Sequence, residues 1–375
     1  MPKLFEPLRL RDLTLKNRVW LSPMCQYSVE AGDGVPTDWH VVHLGARAQG
    51  GFGLILTEAT AVTPQGRISA QDTGLWNSAQ LEAWARVVDF VHTQDAAVGV
   101  QLAHAGRKGS TYRAWPGEPA GTVPQSEGGW ATMGPSGVAF DGYDAPVEMS
   151  HQDIAETVQA FADAARRADE AGFDVVELHA AHGYLAHEFL SPLSNRRTDR
   201  YGGDFAGRTR FLTEVVDAVR AVWPEGKPLF VRLSGTDWID GAWDVEQSAR
   251  LAMVLKGRGV DLVDVSSGGN APAAIPVGPG YQVPLAQRIR AESGLPTGAV
   301  GMVLQPQQAE QILERGDADA VFLARAALRE PAWPLRAAAE LGLTWREAPY
   351  PAQYVRGKWD DVPGANFPGQ PSPAA

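Results

Sequence analysis

The stretch that decides the fold is "SHQDIAETVQAFADAARRADEAGFDVVELHA", residues 150–180. Its first part predicts a helix from Ser150, the N-cap, to Gly172, with Asp153 placed to complete a capping box. The part that follows, "FDVVELHA" (173–180), is an apolar, β-branched run that is typical of a buried strand. A helix that leads directly into a buried strand is one unit of an α/β fold with parallel strands.

The same unit recurs along the chain. Eight apolar runs bounded by Gly, Pro or Asp are predicted as strands, at 18–24, 53–60, 98–104, 173–180, 228–235, 260–268, 297–303 and 318–325. Besides the helix that precedes the fourth strand, helical periodicity lies at 77–95, 208–223, 244–259 and 305–317. Eight such units favour a single (β/α)8 TIM barrel, over residues 1–345, rather than an open doubly wound sheet.

Two segments fall outside the barrel rhythm. Residues 105–149 are rich in Gly and Pro, have no helical period, and follow the third strand. We expect this insert to form a lid at the C-terminal mouth of the barrel. Residues 346–375 form a Pro- and Gly-rich tail that contains "QYVRGKW" (353–359), and we expect the tail to contact a second subunit.

Composition narrows the classes of function. The 375 residues carry a formal net charge of −11, which argues against nucleic acid or an anionic membrane as the main partner. Cys25 is the single cysteine, so an intramolecular disulfide, a zinc ribbon and a four-cysteine iron–sulfur cluster are excluded. The N-terminus lacks the apolar region of a signal peptide and no apolar run has the length of a membrane span, so we expect a cytoplasmic protein.

The end of the fourth strand carries the densest group of chemically active side chains. His179, His182 and Tyr184 follow within six positions, where barrels of this kind collect their active-site residues. Two neutral imidazoles can hold a carbonyl oxygen as it gains negative charge, and a tyrosine can donate a proton. The alternative is a metal-dependent TIM-barrel hydrolase that uses the two histidines as ligands, with Glu188 as the nearby acid.

Arg232 lies in the middle of the fifth strand, where alternation points it into the barrel with Phe230 and Ser234. A buried guanidinium needs a partner. Glu177 on the neighbouring strand would make a structural ion pair, whereas a ligand that gains negative charge would make Arg232 functional.

The ends of the last two strands suggest a phosphate site. Gly298 and Gly301 would let the backbone approach a ligand closely, with Arg325 beside them. The alternative is that the glycines serve close packing and that Arg325 is a surface charge.

Taken together, these motifs resemble the Old Yellow Enzyme family, specifically its thermophilic-like class of ene-reductases. The resemblance runs over nearly the whole chain. The motifs that carry it are "SPMCQYS" (22–28), "QLAHAGRK" (101–108), "HAAHGYLAHEFLSPLSNRRTDRYGG" (179–203), "FVRLS" (230–234) and "TGAVGM" (297–302). The resemblance implies an FMN-containing barrel that takes hydride from NADPH and passes it to the activated C=C bond of a small molecule.

The resemblance also assigns cofactor-binding positions. Gln101 would meet the pyrimidine edge of the flavin and Arg232 would lie near its N1 and O2 atoms. Ala324 stands where relatives often have glycine. The full cofactor set is Ser22, Pro23, Met24, Cys25, Ala59, Gln101, Arg232, Gly301, Ala324 and Arg325.

The resemblance also implies substrate-binding and catalytic roles. His179 and His182 would bind the electron-withdrawing carbonyl of the substrate, and Tyr184 would donate a proton to the α-carbon. Cys25 would tune the flavin and touch the substrate, and Tyr27 would add a second hydroxyl. Arg356 would reach the neighbouring subunit's active site, which implies a homodimer or homotetramer. Because no Gly-x-Gly-x-x-Gly follows a strand, NADPH and alkene are expected to take turns over one flavin face.

Overall fold

A closed barrel of eight parallel strands forms the centre of the protein. The computed structural model describes residues 1–359. The barrel strands are β1 (Val19–Leu21), β2 (Leu54–Ala61), β3 (Ala97–Ala103), β4 (Val175–Ala180), β5 (Leu229–Ser234), β6 (Leu262–Ser266), β7 (Thr297–Ala299) and β8 (Ala320–Leu323). Strand β8 pairs with β1 through Val321 and Val19, which closes the ring. The predicted (β/α)8 TIM barrel is confirmed.

Helices surround the barrel. They are α1 (Asp38–Gln49), α2 (Ser78–His92), α3 (His151–Glu170), α4 (Leu185–Leu190), α5 (Phe205–Arg220), α6 (Val245–Lys256), α7 (Val283–Ser293), α8 (Pro306–Glu314), α9 (Arg325–Arg329) and α10 (Trp333–Glu340). In α3 the Ser150 side chain accepts from the Asp153 amide, as its capping box predicted. Its apolar face, with Ile154, Phe161 and Ala165, is buried against the barrel.

Four helices were not predicted from the sequence, namely α1, α4, α7 and α10. The last three begin without a side-chain N-cap hydrogen bond. Helix α1 has Thr37 as its N-cap, but the side chain that reaches back to Thr37 is His40 instead of Glu or Gln. A capping side chain followed three residues later by Glu or Gln is therefore missing from all four segments, although Pro lies in the first turn of α7 and α10.

The interior of the barrel has two layers of side chains. The lower layer is aromatic: Trp20 stacks on Phe230 with ring centroids 5.9 Å apart and meets Phe322 edge-on at 5.3 Å. An N-terminal hairpin, Leu8–Leu10 paired with Leu13–Leu15, packs against this layer. The upper layer is polar and buried, and consists of Gln101, Glu177, Arg232 and Asp264. Each of its members lies two residues beyond an apolar or glycine residue of the same strand, so both layers point inward.

The insert over residues 105–149 follows β3. It contains a short parallel pair of strands, Met133–Gly134 and Val147–Glu148. Arg107 anchors it: Nη1 donates to the Val138 carbonyl at 3.1 Å, and Nη2 donates to the Asn270 carbonyl at 2.5 Å. The insert is thereby attached to the loop after β6.

The tail begins after α10 and includes a short 3-10 helix, Ala352–Gly357. Residues 360–375 of the predicted tail lie outside the described part of the chain. Within residues 1–359, no helix combines the length and the apolar character that crossing a membrane requires.

Candidate active site

His179 and His182 come together at the C-terminal end of β4. Their rings lie 5.2 Å apart and perpendicular to each other. His179 Nδ1 accepts a hydrogen bond from the Ala181 amide at 3.2 Å, and His182 Nε2 lies 2.7 Å from Ser266 Oγ. Burial, and then the positive charge of Arg232, lowers the pKa of both histidines well below the ordinary value. Both imidazoles are therefore neutral at physiological pH, and His179 carries its proton on Nε2.

Tyr184 completes this group. Its ring centroid lies 5.0 Å from that of His179. Burial, reinforced by Cys25 and Asp72, raises the pKa of Tyr184 well above its ordinary value, so the phenol keeps its proton. The ring packs in a small apolar cluster with Tyr27 and Ile68. A proton donor thus stands beside two neutral imidazoles.

The segment after β1 supplies the facing wall. The Gln26 amide donates to Glu58 Oε2 at 2.9 Å, which fixes this segment against β2. Tyr27 adopts a left-handed backbone conformation with φ 53°. Burial, together with the charges of Asp72 and Glu58, raises the pKa of Cys25, so Cys25 is a neutral thiol.

The upper layer of the barrel lies beneath the histidines. Gln101 Nε2 donates to Glu177 Oε1 at 2.8 Å, and Arg232 Nε lies 3.1 Å from Asp264 Oδ2. The ion-pair partner of Arg232 is thus Asp264 and not Glu177, which was one candidate, because Arg232 and Asp264 are paired in register between β5 and β6. The pair is close but poorly aligned for a hydrogen bond, and both Asp264 oxygens lack an aligned donor among the described residues.

Burial also shifts the pKa values of the two acids in this layer. It raises the pKa of Glu177 and of Asp264, while Arg232 opposes both shifts. Within residues 1–359, Arg232 Nε and Glu177 Oε2 are buried without a hydrogen-bond partner. Buried polar groups of this kind normally have a partner, so the layer is suited to a polar ligand.

A cavity of about 480 Å³ opens beside the ends of β6, β7 and β8. Gly301 lies in it with φ 118°, and a Cβ atom there would lie 2.8 Å from Gln282 Nε2. Only glycine suits this position. Gly298 is different, because a Cβ atom there would lie 2.1 Å from the Phe322 ring. For Gly298 the geometry favours the close-packing alternative, since this glycine makes room for the lower aromatic layer. The lining residues include Ser266, Tyr281, Gln282, Gly301, Met302, Ala324, Arg325 and Arg329.

The sequence model of the NADH:flavin oxidoreductase / NADH oxidase family matches residues 3–343. The chain belongs to this family. Members of the NADH:flavin oxidoreductase / NADH oxidase family are enzymes, and this chain is accordingly an FMN-dependent oxidoreductase.

Relatives in the family are similar over almost their whole length. The chain is 51% identical to an NADPH dehydrogenase of Geobacillus thermodenitrificans, covering 94% of this chain and 98% of the relative. It is 48% identical to an NADPH dehydrogenase of Bacillus subtilis, covering 95% and 99%. Among solved structures, morphinone reductase in complex with tetrahydroNAD is 30% identical, with a TM-score of 0.75 and 92% of each chain covered. The Old Yellow Enzyme homologue from Zymomonas mobilis is 27% identical, with a TM-score of 0.74, covering 93% and 99%. The resemblance to the Old Yellow Enzyme family is confirmed.

The residues present in this family member fit FMN. The predicted cofactor positions lie on β2, β3 and β5, on the segment after β1, and after β7 and β8, around one mouth. Ser22 Oγ is buried without a hydrogen-bond partner within the described chain, as are groups of the upper layer. Arg325, which lines the cavity, is exposed and leaves its charge available to an anion. A polar, planar group with a phosphate matches this pattern of donors.

Lys108 is a residue of this site that the sequence analysis did not single out. Lys108 donates from Nζ to the His182 carbonyl at 2.8 Å and to the Gly269 carbonyl at 3.0 Å. Burial lowers the pKa of Lys108 to about 8. No periodic pattern indicated a role for Lys108, because it lies in the irregular start of the insert. Arg356 is exposed on the tail 3-10 helix and belongs to no part of this mouth that the structure shows.

Proposed function

We propose that the protein is an NADPH-dependent ene-reductase that reduces the C=C bond of α,β-unsaturated carbonyl compounds and related activated alkenes. The observation that carries the proposal is the convergence of two neutral imidazoles and a protonated tyrosine, whose ring packs in a small apolar cluster. FMN, when bound, supplies the chemistry that moves hydride from NADPH to the alkene.

His179 and His182 bind the carbonyl oxygen of the substrate. Neutral imidazole N–H groups hold this oxygen as it gains negative charge, which makes the β-carbon electrophilic. Tyr184, whose raised pKa keeps it protonated, gives its proton to the α-carbon. Cys25 and Tyr27 line the same pocket and limit the room for water and substrate.

The cofactor is held by the upper layer and by the cavity. Gln101 and Arg232 meet the polar edge of the isoalloxazine ring. Ser22, Pro23 and Met24, from the segment after β1, and Ala59 of β2 would border the ring. Gly301, Ala324 and Arg325 hold the phosphate, for which the exposed guanidinium supplies a charged donor.

NADPH and alkene bind in turn at one pocket, so we expect parallel double-reciprocal plots; intersecting plots would indicate a ternary complex.

The exposed position of Arg356 supports a homo-oligomer in which this residue enters the active-site mouth of the neighbouring subunit.

The proposal is tested by the visible spectrum of the purified protein under anaerobic conditions. NADPH should bleach a flavin spectrum, and 2-cyclohexenone should restore it. Bleaching that enone does not reverse would reject the ene-reductase. A colourless protein that FMN cannot reconstitute would reject the cofactor assignments.

The metal-dependent hydrolase has little support. Within residues 1–359, no group of three His, Cys, Asp or Glu side chains is arranged to hold a metal ion. His182 Nε2 already contacts Ser266 Oγ. Activity that EDTA abolishes and zinc restores would favour the hydrolase instead.

A further inference from the structure

The backbone turn that carries His182 is unusual. His182 and Gly183 both adopt left-handed conformations, with φ 60° and 74°. A non-glycine residue in this region costs on the order of 1 kcal/mol and persists only where its surroundings hold it. Gly183 packs so closely that a Cβ atom there would lie 2.2 Å from the Gly269 carbonyl oxygen. The orientation of the His182 ring therefore depends on what fixes this turn.

His187 holds the turn from below. It lies in α4 and is fully buried, and its Nδ1 accepts a hydrogen bond from the Gly183 amide at 2.9 Å. An accepting Nδ1 carries no proton, so the ring of His187 is neutral with its proton on Nε2.

Asp237 faces that proton. His187 Nε2 lies 3.1 Å from Asp237 Oδ1, and both side chains are fully buried. The contact is short but not well aligned, and neither atom has another hydrogen-bond partner in the described part of the chain. Asp237 is itself fixed, because Ser191 Oγ donates to its Oδ2 at 2.6 Å and its amide donates to the Trp243 carbonyl at 2.8 Å.

A buried histidine and aspartate are a poor choice for stability alone. Apolar side chains of similar volume often stabilise a core as well or better. What the pair supplies instead is a defined tautomer, since an acid beside one ring nitrogen decides which nitrogen is protonated.

We propose that His187 and Asp237 are positioning residues of the substrate clamp. Asp237 sets the tautomer of His187, and His187 Nδ1 fixes the Gly183 amide, so that the His182 ring is held ready for the substrate carbonyl. The proposal rests on the proposed ene-reductase function, in which His182 binds that carbonyl.

Two substitutions of His187 separate positioning from packing. His187→Leu removes the acceptor for the Gly183 amide. In His187→Asn, the side-chain oxygen stands close to the place of Nδ1 and keeps the acceptor.

The measurement is the reoxidation of dithionite-reduced, FMN-loaded enzyme by 2-cyclohexenone and, separately, by O2, which needs no carbonyl clamp. The wild type comes first: if enone does not reoxidise it, the proposed function fails, whatever the variants do. Given a reactive wild type, His187→Leu should lower the enone rate constant about 10–100-fold and leave the O2 rate constant close to that of the wild type. His187→Asn should retain most of the enone rate.

An unchanged ratio of enone to O2 rate constants in His187→Leu would overturn the inference. So would His187→Asn if it were as slow as His187→Leu. Should His187→Leu fail to bind FMN, Asp237→Leu and its matched control Asp237→Asn, which keeps an acceptor facing Nε2, provide the same comparison. Equal enone rates in these two variants would also overturn it.

Discussion

The two layers of the barrel interior lie on strands of one closed barrel, yet one layer is aromatic and the other is polar. In the lower layer, Trp20 packs against Phe230 and Phe322, and its indole N–H donates to the Asn17 carbonyl at 2.9 Å. In the upper layer, Arg232 and Asp264 are buried, and polar atoms of both side chains lack an aligned hydrogen-bond partner within residues 1–359. The lower layer is complete without a ligand, and the upper layer is suited to one.

This difference shows that the lower layer serves the stability of the fold and that the upper layer serves the chemistry of the site. Position inside a barrel strand is common to both layers, because side chains two residues apart point the same way. Residue type then separates them. Apolar burial stabilises the fold, whereas buried charge costs free energy that a bound polar cofactor can offset.

The largest expected effect breaks the lower layer. Phe230→Ala should lower the free energy of unfolding by about 3–5 kcal/mol, because it leaves a cavity beneath the upper layer. Urea denaturation measures the change. The matched variant Ser234→Ala, four residues further along β5, should cost only about 1 kcal/mol but slow reoxidation by enone, since Ser234 Oγ accepts from the His182 amide. Equal destabilisation by both variants would remove the distinction between the layers.

A second prediction concerns the pH dependence of stability that a buried acid, Glu188, causes on the mouth side of the barrel. Burial raises the pKa of Glu188 from 4.5 to about 8. Between these values the unfolded chain releases this proton and the folded protein keeps it, so stability falls as pH rises, by about 1.4 kcal/mol per pH unit.

Glu188→Gln removes this effect and keeps an acceptor for the Arg107 amide, which the carboxylate binds at 2.9 Å. The variant should therefore become more stable relative to the wild type as the pH of urea denaturation is raised from 5 to 8. A stability difference that stays constant over this interval would contradict the assignment.

The third prediction concerns a reaction rate and not the free energy of unfolding. Tyr184→Phe removes the proton donor and should slow reoxidation by 2-cyclohexenone about 100-fold, with little change in the rate of bleaching by NADPH. Stopped-flow absorbance separates the two half-reactions. Tyr143→Phe, in the insert, serves as the control and should behave like the wild type; similar losses in both variants would argue against a specific donor.

The smallest expected effect lies at the phosphate end. Arg325→Ala should weaken FMN binding about tenfold, because a charge-assisted hydrogen bond to an exposed phosphate is lost. Fluorescence titration of the apoprotein with FMN measures the dissociation constant. Arg329→Ala, which removes another arginine of the same cavity, should weaken binding less, and the reverse order would move the phosphate away from Arg325.

Much of this arrangement could be predicted from local sequence, and some of it could not. The eight strands were found because their apolar runs are short and bounded by turn residues. The placement of His179, His182 and Tyr184 at the mouth followed from their position after β4. Helices such as α7 were missed because they begin without a side-chain N-cap hydrogen bond.

The remaining differences depend on contacts between distant segments. The pairing of Arg232 with Asp264 follows from the register of β5 and β6, which no local pattern encodes. Gly298 makes room for Phe322 on the neighbouring strand, a contact that appears only once the barrel is closed. The link between His187 and Asp237 likewise joins α4 to the loop after β5.

The most direct test of the central claim is the reoxidation of dithionite-reduced His179→Ala/His182→Ala enzyme by 2-cyclohexenone and by O2. If the two histidines activate the carbonyl, the enone rate constant should fall at least about 100-fold while the O2 rate constant stays close to that of the wild type. An enone rate constant that is unchanged, or that falls only in proportion to the O2 rate constant, would contradict the account.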